Sequence, residues 1–328
     1  MSGITILGMG VYTPDFIAEN KDFTKFVETS DEWIVSMTGI KRRHISTGEP
    51  TWYMACEAAK AAIKNANLAP EEIDMIILTS VTPDYYSPSG ACVVQGMIGA
   101  TNAIAFDVNA ACAGFVYAID MARCYIDDHK NILVISSENL SKLTDYSDRS
   151  TCVLFGDAAA ACVVTKSDGL FSSFLKSDGT GAGAIVARAL SNDNVFTGTK
   201  SPQEFDKFAD TNKHYLYMDG REVYKFATKV LPEAVEKACV KANVSVEDLK
   251  IIVPHQANVR IIETAAKNLK VPIDRFFVNI ADYGNTSSAS IPLALYEYEQ
   301  SGQLKRGDKV CLVGFGAGLV AGAVVFEW

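Results

Sequence analysis

The sequence is organised around one stretch, Ala103-Ile-Ala-Phe-Asp-Val-Asn-Ala-Ala-Cys112-Ala-Gly-Phe-Val-Tyr-Ala-Ile-Asp-Met-Ala122. The apolar run 103–108 predicts a buried strand, and Phe115 and Ile119 have the spacing of one helix face. Cys112 therefore lies at a predicted turn between a strand and a helix. Small neighbours leave room for a substrate beside its sulfur, and the amide hydrogens of a helix start favour a thiolate over a thiol. The position predicts a nucleophile, although a cysteine among alanines is also typical of a protein core.

Two further motifs follow strand-like apolar runs later in the chain. Pro-His-Gln-Ala-Asn at 254–258 comes directly after the run 251–253, and Tyr-Gly-Asn-Thr-Ser-Ser-Ala-Ser at 283–290 follows the run 276–280. Cys112, His255 and Asn285 thus appear in this order, each just past a predicted strand. Taken singly, His255 is equally typical of a hydrogen-bonded histidine at a strand end, and Asn285 of a turn residue.

Together these motifs resemble the β-ketoacyl-acyl carrier protein synthase III family, the initiating condensing enzymes of fatty acid synthesis. The resemblance covers nearly the whole length, from Ser30-Asp-Glu-Trp-Ile-Val-Ser-Met-Thr-Gly-Ile40 to Gly314-Phe-Gly-Ala-Gly318. It implies a thiolase-like α/β fold made of two similar halves, each a mixed sheet flanked by helices, in α-β-α-β-α layers. Strands that alternate with helices along the chain agree with this fold.

The resemblance also implies where the two halves lie. We expect residues 1–170 to form an N-terminal half that carries the cysteine, and residues 171–328 a C-terminal half that carries the histidine and asparagine. Each half finishes with two apolar strands and glycine between them, which indicates a weak internal repeat. The polar, glycine-rich region 177–211 is predicted to form surface loops between the halves.

Composition restricts the class of protein. The 328 residues are 48% hydrophobic and 21% charged, as in an ordinary soluble globular protein, and the formal net charge is −9. This charge argues against general nucleic-acid binding, because the phosphate backbone would be repelled. No apolar run reaches membrane-spanning length and the N-terminus has no secretory pattern, so we expect a cytoplasmic protein with neither a nucleic acid nor a membrane as partner.

Eight cysteines lie mostly within apolar or alanine-rich segments. We expect all of them except Cys112 to be buried free thiols rather than disulfides. The chain has no CxxC pair, and its four histidines do not cluster with cysteine, so no metal site is expected. The glycines at 314, 316 and 318 are followed by a strand-like run rather than a helix, which argues against a dinucleotide site.

The chemistry of condensation assigns the three polar residues. Exchange between thioesters suits a thiolate, so Cys112 would accept the acyl primer. Loss of carbon dioxide from a malonyl thioester then leaves an enolate oxygen, to which a neutral His255 and the amide of Asn285 would donate hydrogen bonds. The primer carbonyl would be held by the amide of Cys112 and one from the glycine loop Gly316-Ala317-Gly318. The product would be a 3-oxoacyl-acyl carrier protein, and no cofactor is expected beyond thioesters of coenzyme A and carrier protein.

The resemblance implies further substrate contacts. Trp33 and Arg149 would flank the adenine of coenzyme A, and Asn258 would lie near the pantetheine. Trp33 as a helix staple and Arg149 as a solvated charge remain alternatives. Met37 stands where relatives commonly have an arginine that contacts the nucleotide, which leaves room for an acyl-carrier donor. Ser87 replaces a phenylalanine common before Pro88, so we expect primers longer or more branched than acetyl.

The resemblance implies two thioester substrates, malonyl-acyl carrier protein and an acyl donor carried by coenzyme A or by carrier protein. It also implies a second copy of the chain as partner in a homodimer. Lys225, Arg260 and Lys267 fall where the family places basic residues for the acidic carrier, and the last two lie seven residues apart on one helix face. A solvated face would have the same pattern. The alternative functions are an acyltransferase or condensing enzyme of secondary metabolism, and a non-catalytic partner subunit, which would need none of the three polar residues. Thiol proteases share Cys, His and Asn, but they have a different sequence around the cysteine.

Overall fold

A computed structural model describes residues 3–188 and 215–328 of the chain. The loop region predicted over 177–211 is therefore described only as far as residue 188, where it contains a 3₁₀ turn, Gly179–Ala184, and a two-residue strand. The remainder of that prediction lies outside the described residues.

The strands of the described part follow in chain order. They are β1 (Gly3–Tyr12), β2 (Ile17–Glu19), β3 (Arg42–His44), β4 (Met75–Thr79), β5 (Ile104–Val108), β6 (Asn131–Asn139), β7 (Asp157–Ser167), β8 (Phe171–Ser177), β9 (Ile185–Val186), β10 (Tyr217–Met218), β11 (Ile251–Pro254), β12 (Lys309–Gly316) and β13 (Val320–Glu327). The α-helices are α1 (Asp31–Thr38), α2 (Thr51–Asn65), α3 (Gly90–Ile98), α4 (Gly114–Tyr125), α5 (Arg149–Cys152), α6 (Gly220–Ala242), α7 (Val259–Leu269), α8 (Ile280–Tyr283) and α9 (Ser290–Gln300).

Two mixed sheets form the framework. The first has the order β1-β7-β6-β4-β5, and the second has the order β11-β12-β13-β8. In the first sheet, β4 pairs parallel with β6, and the pairs β6-β7 and β7-β1 are antiparallel. In the second sheet, β11 pairs parallel with β12, and the pairs β12-β13 and β13-β8 are antiparallel. Four strands of each sheet therefore share the same order of pairings. All strands of the first sheet precede residue 168, and all strands of the second follow residue 170. The division into halves near residue 170 stays a prediction, and this shared topology supports it.

Helices cover both faces of each sheet. α4 and α9 lie between the sheets, where Phe115 and Leu295 join one apolar core with residues of both. α2 and α3 pack on the outer face of the first sheet, and α6 and α7 on that of the second. Along β6, Ile132 and Val134 face the central core while Leu133 faces the outer one, which is why the strand is apolar throughout. The predicted α-β-α-β-α layering is confirmed.

The strand predicted over 276–280 is wrong. Phe276 makes a single bridge with Ile252, and the chain then turns into α8. The side chain of Gln256 occupies the place of a neighbouring strand: its amide nitrogen donates to the carbonyl of Phe277 at 3.1 Å, and its amide oxygen accepts from the N–H of Asn279 at 3.1 Å. Because a side chain satisfies these backbone groups, the segment needs no ladder of backbone hydrogen bonds.

The prediction of seven buried thiols is wrong at two positions. All eight cysteines are free, but Cys92 and Cys124 are exposed, in the first turn of α3 and the last turn of α4. An apolar neighbourhood along the sequence does not reveal which face of a helix a residue occupies.

Candidate active site

Cys112 lies where the sequence places it, between β5 and α4, in a 3₁₀ turn formed by Ala111–Ala113. Ala111 has φ +46°, a left-handed conformation that costs a residue with a Cβ free energy. Strained backbone of this kind persists only where the surrounding structure holds it. The turn is thus held in a fixed shape around the sulfur.

The end of β12 packs directly against this turn. A Cβ placed on Gly316 would lie 2.7 Å from the backbone nitrogen of Cys112 and 3.0 Å from the Cβ of Ala111, so only glycine allows this approach. Gly316 and Ala317 line the same cavity as Cys112, whereas Gly318 is not among the described residues that line it. Two of the three predicted glycine-loop residues therefore lie beside the cysteine.

The electrostatic environment of Cys112 differs from the sequence expectation. Burial raises the pKa of its thiol to about 12, and this effect outweighs the opposing hydrogen bond from Ser287, whose hydroxyl lies 3.3 Å from the sulfur. The negative charge of Glu138 raises the pKa of Cys112 further. The free protein therefore holds a thiol, and the thiolate expected at a helix start must form during the reaction.

His255 follows β11, and its backbone N–H donates to the carbonyl of Val313 in β12 at 2.8 Å. Its ring lies edge-on to Phe315, with 5.4 Å between ring centroids. Burial lowers the pKa of His255 to about 3, so the ring is neutral near pH 7. It therefore has one N–H group.

We assign the ring proton of His255 from the hydrogen bonds around Ser290. Ser290 Oγ accepts from the N–H of Gln256 at 3.2 Å, and it lies 2.7 Å from His255 Nδ1. Among the described residues, Nδ1 is the acceptor available to the Ser290 hydroxyl proton, so that proton points at Nδ1. The ring proton is then on Nε2, which makes Nε2 a hydrogen-bond donor.

Asn285 is fixed by both its backbone and its side chain. Its N–H donates to the carbonyl of Leu154 at 2.9 Å, and its carbonyl accepts from the N–H of Gly156 at 3.1 Å. Its side-chain oxygen accepts from the N–H of Ser287 at 2.9 Å. This bond identifies the oxygen of the amide and leaves the NH₂ group of Asn285 as a donor.

Cys112, His255 and Asn285 come from three distant parts of the chain and line one cavity of about 380 Å³. The rest of the wall is mostly apolar, and it includes Leu140, Met218, Val223, Ile261 and Phe315. The cavity thus combines one thiol and two neutral donors with space for an acyl chain, an arrangement suited to thioester chemistry.

Two of the three predicted coenzyme A contacts line the same cavity, and the third, Arg149, packs on one of them. Trp33 and Asn258 line it, as does Met37. The guanidinium of Arg149 packs on the Trp33 ring at 4.6 Å from the ring centroid, so the two residues contact each other directly. The side chain of Asn258 donates to the carbonyl of Met37 at 3.0 Å and accepts from the N–H of Arg260, which joins α1 to α7. The role of these residues toward coenzyme A stays a prediction.

Ser87 is exposed on the loop before α3 and is not among the described residues that line the cavity. Lys225, Arg260 and Lys267 are all exposed on α6 and α7, two helices joined by a hydrogen bond between the hydroxyls of Tyr224 and Thr264. Tyr224 lines the cavity next to Lys225 in sequence. Lys225 and Arg260 thus adjoin residues of the cavity wall, whereas Lys267 lies in the last turn of α7, and the role of all three stays a prediction.

Sequence reasoning missed the buried carboxylate of Glu138. It is fully buried near the end of β6, accepts from Ser288 Oγ at 2.6 Å, and accepts from the N–H of Val81 and the hydroxyl of Thr82 at 3.0 and 3.1 Å. Burial raises its pKa. A charged residue at the end of an otherwise apolar run was the available signal.

Within residues 3–188 and 215–328, no cluster of three or more His, Cys, Asp or Glu residues could hold a metal ion. In the same part of the chain, no helix has the length and apolar character needed to cross a bilayer.

Comparison with known proteins identifies the family. The models for 3-oxoacyl-[acyl-carrier-protein] synthase III and for its C-terminal part match residues 106–179 and 239–328. Beta-ketoacyl-[acyl-carrier-protein] synthase III of Clostridium acetobutylicum is 47% identical, covering 100% of this chain and 99% of its own. The chain belongs to the 3-oxoacyl-[acyl-carrier-protein] synthase III family. The predicted family, enzyme class and initiating condensation in fatty acid synthesis are confirmed.

Solved structures of synthase III relatives agree with the fold. The crystal structure of 3-oxoacyl-[acyl-carrier-protein] synthase III from Aquifex aeolicus has a TM-score of 0.90 and 43% identity, covering 99% of this chain and 100% of its own. The priming β-ketosynthase of the R1128 polyketide pathway has a TM-score of 0.88 and 33% identity, covering 99% of this chain and 96% of its own. The thiolase-like fold predicted from the sequence is confirmed.

Proposed function

We propose that this synthase III carries out its condensation with Cys112 as nucleophile and with His255 and Asn285 as the donors that stabilise the enolate. The observation that carries this assignment is the single cavity that all three residues line. The neutral ring of His255 and the free NH₂ group of Asn285 can both donate without changing charge.

The reaction has two half-reactions in this assignment. The sulfur of Cys112 first bonds to the primer carbonyl carbon while the bond to the carrier sulfur breaks, and the thiol proton ends on the departing carrier. Malonyl-acyl carrier protein then loses carbon dioxide, and the carbon of the resulting enolate bonds to the acyl carbon held on Cys112. The bond from that carbon to the Cys112 sulfur breaks, which releases the 3-oxoacyl-acyl carrier protein, and the departing thiolate takes a proton from solvent. The backbone N–H of Cys112 and one N–H of the glycine loop Gly316-Ala317-Gly318 would hold the primer carbonyl. Coenzyme A and carrier protein thioesters are the substrates, and no further cofactor takes part.

The test is the intact mass of the protein after mixing with a panel of acyl-coenzyme A and acyl-carrier thioesters. The wild type should gain the mass of the acyl group, and Cys112→Ala should gain nothing. His255→Ala and Asn285→Ala should still load Cys112 but should release carbon dioxide from malonyl-carrier about a hundredfold more slowly. Equal loading of wild type and Cys112→Ala would disprove the assignment.

We propose that the acidic carrier protein docks on the cations of α6 and α7. Lys225 and Arg260 each adjoin a residue of the cavity wall, Tyr224 and Ile261. Reversing the charge of Lys225, Arg260 and Lys267 together should raise the KM for malonyl-carrier protein and leave that for acyl-coenzyme A unchanged. An equal effect on both substrates would contradict a docking role.

We propose a homodimer formed through β5. This strand is at the edge of the first sheet, and its Ile104 is 51% exposed. An exposed apolar edge is a template for pairing with another chain, and twofold symmetry would pair two copies of β5 antiparallel. Ile104→Lys should convert the dimer to a monomer in sedimentation. A wild-type protein that is monomeric at micromolar concentration would rule out the dimer.

The dimer would give Ser87 a place in the acyl site. Asp107 of β5 accepts hydrogen bonds from the N–H groups of Gly90 and Ala91 at 2.7 Å each, so the loop that carries Ser87 adjoins the edge where the second copy would bind. Small Ser87 would leave space for primers longer or more branched than acetyl. Ser87→Phe should shift the loading profile toward acetyl, and strict acetyl preference in the wild type would contradict this role.

Free thiols at all eight cysteines are consistent with action in the cytoplasm.

A further inference from the structure

The 3₁₀ turn Ser287–Ala289 places a hydroxyl against the sulfur of Cys112. Ser287 is 1% exposed, and its Oγ donates to the sulfur at 3.3 Å. Its φ of +48° lies in the left-handed region that residues with a Cβ rarely adopt. Strained, buried residues that contact a reacting atom are typical of functional sites.

Two contacts hold the backbone of this turn in place. The N–H of Ser287 donates to the side-chain oxygen of Asn285 at 2.9 Å. This bond joins the turn to the residue that is proposed to donate to the enolate. The next residue, Ser288, donates through Oγ to the buried carboxylate of Glu138 at 2.6 Å. The first two residues of the turn are thus held by buried hydrogen bonds, which keep the backbone of Ser287 beside the sulfur.

We propose that Ser287 is a further catalytic residue, whose hydroxyl stabilises the thiolate of Cys112 as the thiol proton leaves. The need for such a donor follows from the other groups that face the sulfur. His255 is neutral, and Glu138 is a carboxylate that opposes a second negative charge. No cation of the described residues contributes to the electrostatics of Cys112. The hydroxyl of Ser287 and the amide of Cys112 itself are then the groups that favour the thiolate.

This role rests on the proposed nucleophile, but its test needs no substrate. Iodoacetamide alkylates the thiolate form of a cysteine, so the pH dependence of alkylation of the Cys112 peptide, followed by mass spectrometry, reports its pKa. Cys92 and Cys124 are exposed and provide reference rates in the same sample. Acyl loading of the wild type, measured separately, tests the nucleophile itself.

Three variants separate the hydroxyl from the backbone. Ser287→Ala removes the hydroxyl, and Ser287→Gly removes it while relieving the strain at φ +48°. Thr286→Val is the matched control, because the Thr286 hydroxyl is buried one residue away and has no hydrogen-bond partner among the described residues. Both Ser287 variants should alkylate Cys112 about tenfold more slowly between pH 7 and 9, a shift of about one pKa unit, with Thr286→Val unchanged.

Two outcomes would overturn the proposal. Wild-type alkylation rates in both Ser287 variants would show that the hydroxyl does not stabilise the thiolate. A slow Ser287→Ala with a normal Ser287→Gly would assign the effect to the backbone. Slow alkylation in both variants, with reference rates at Cys92 and Cys124 unchanged, would support the proposal.

Discussion

Ser290 is assigned as the hydrogen-bond donor to His255 Nδ1, so Ser290→Ala tests the proposed role of His255 as a donor to the enolate. Without that donor at Nδ1, the ring no longer holds its own proton on Nε2, and carbon dioxide release should fall at least tenfold while acyl loading of Cys112 continues. Nitrogen NMR of labelled histidine should show Nε2–H in the wild type and a mixture in the variant. Ser301→Ala, at the other end of α9, is the control. An unchanged tautomer or decarboxylation rate would contradict this role.

Buried His255 also makes stability depend on pH. Its pKa is about 3 in the folded protein and near 6.5 when unfolded, so the unfolded state binds more protons between these values. The free energy of unfolding contributed by this residue is complete above pH 6.5 and falls as the pH decreases toward 3. From pH 7 to 5 the wild type should lose about 2 kcal/mol relative to His255→Asn in urea unfolding. Parallel pH profiles for the two proteins would show that His255 is not held neutral.

The sequence predicted those features of the site that are formed by residues close together in the chain. The strand, turn and helix around Cys112 follow from the spacing of neighbouring residues and lie where expected, but the prediction that the strand is buried is wrong, because β5 is a partly exposed strand at the edge of its sheet. The hydrogen bond from Ser287 to Cys112 joins positions 175 residues apart, and no local pattern encodes it. The burial that keeps Cys112 a thiol likewise arises from packing of distant elements. Glu138 was missed for the same reason, because its partners lie in other segments.

The segment after β11 shows how one side chain can override a strand pattern, and Gln256→Ala tests it. Gln256 is 1% exposed and makes three hydrogen bonds, to the backbone of Pro254, Phe277 and Asn279. Its removal takes this hydrogen-bond partner from two buried backbone groups and one partly buried one, so the free energy of unfolding should fall by about 3 kcal/mol or more in urea unfolding. Gln303→Ala, at an exposed position, should change it by less than about 0.5 kcal/mol. A similar small change for Gln256→Ala would mean that the segment is held by other contacts.

At the scale of the whole molecule, the described residues form two sheets of similar topology that share one central layer of helices. α4 and α9 bury their side chains against both sheets, so neither sheet keeps its inner face covered without the other. The proposed active site also needs both parts of the chain, because Cys112 comes from before residue 170 and His255 and Asn285 from after it. The proposed halves are thus repeats of topology that depend on a shared core.

This shared core predicts that the two sheets unfold together. Ile262→Ala lies in the outer core of the second sheet, and Leu295→Ala lies in the central layer. Each should lower the free energy of unfolding by about 2–5 kcal/mol, and hydrogen exchange should show the same loss at β6 of the first sheet and β12 of the second. Ile262→Ala distinguishes one folding unit from two, because Ile262 belongs to the outer core of the second sheet, which contains no residue of β6. If its exchange effect were confined to β12, the halves would be separate folding units, and the central layer would be an interface between domains.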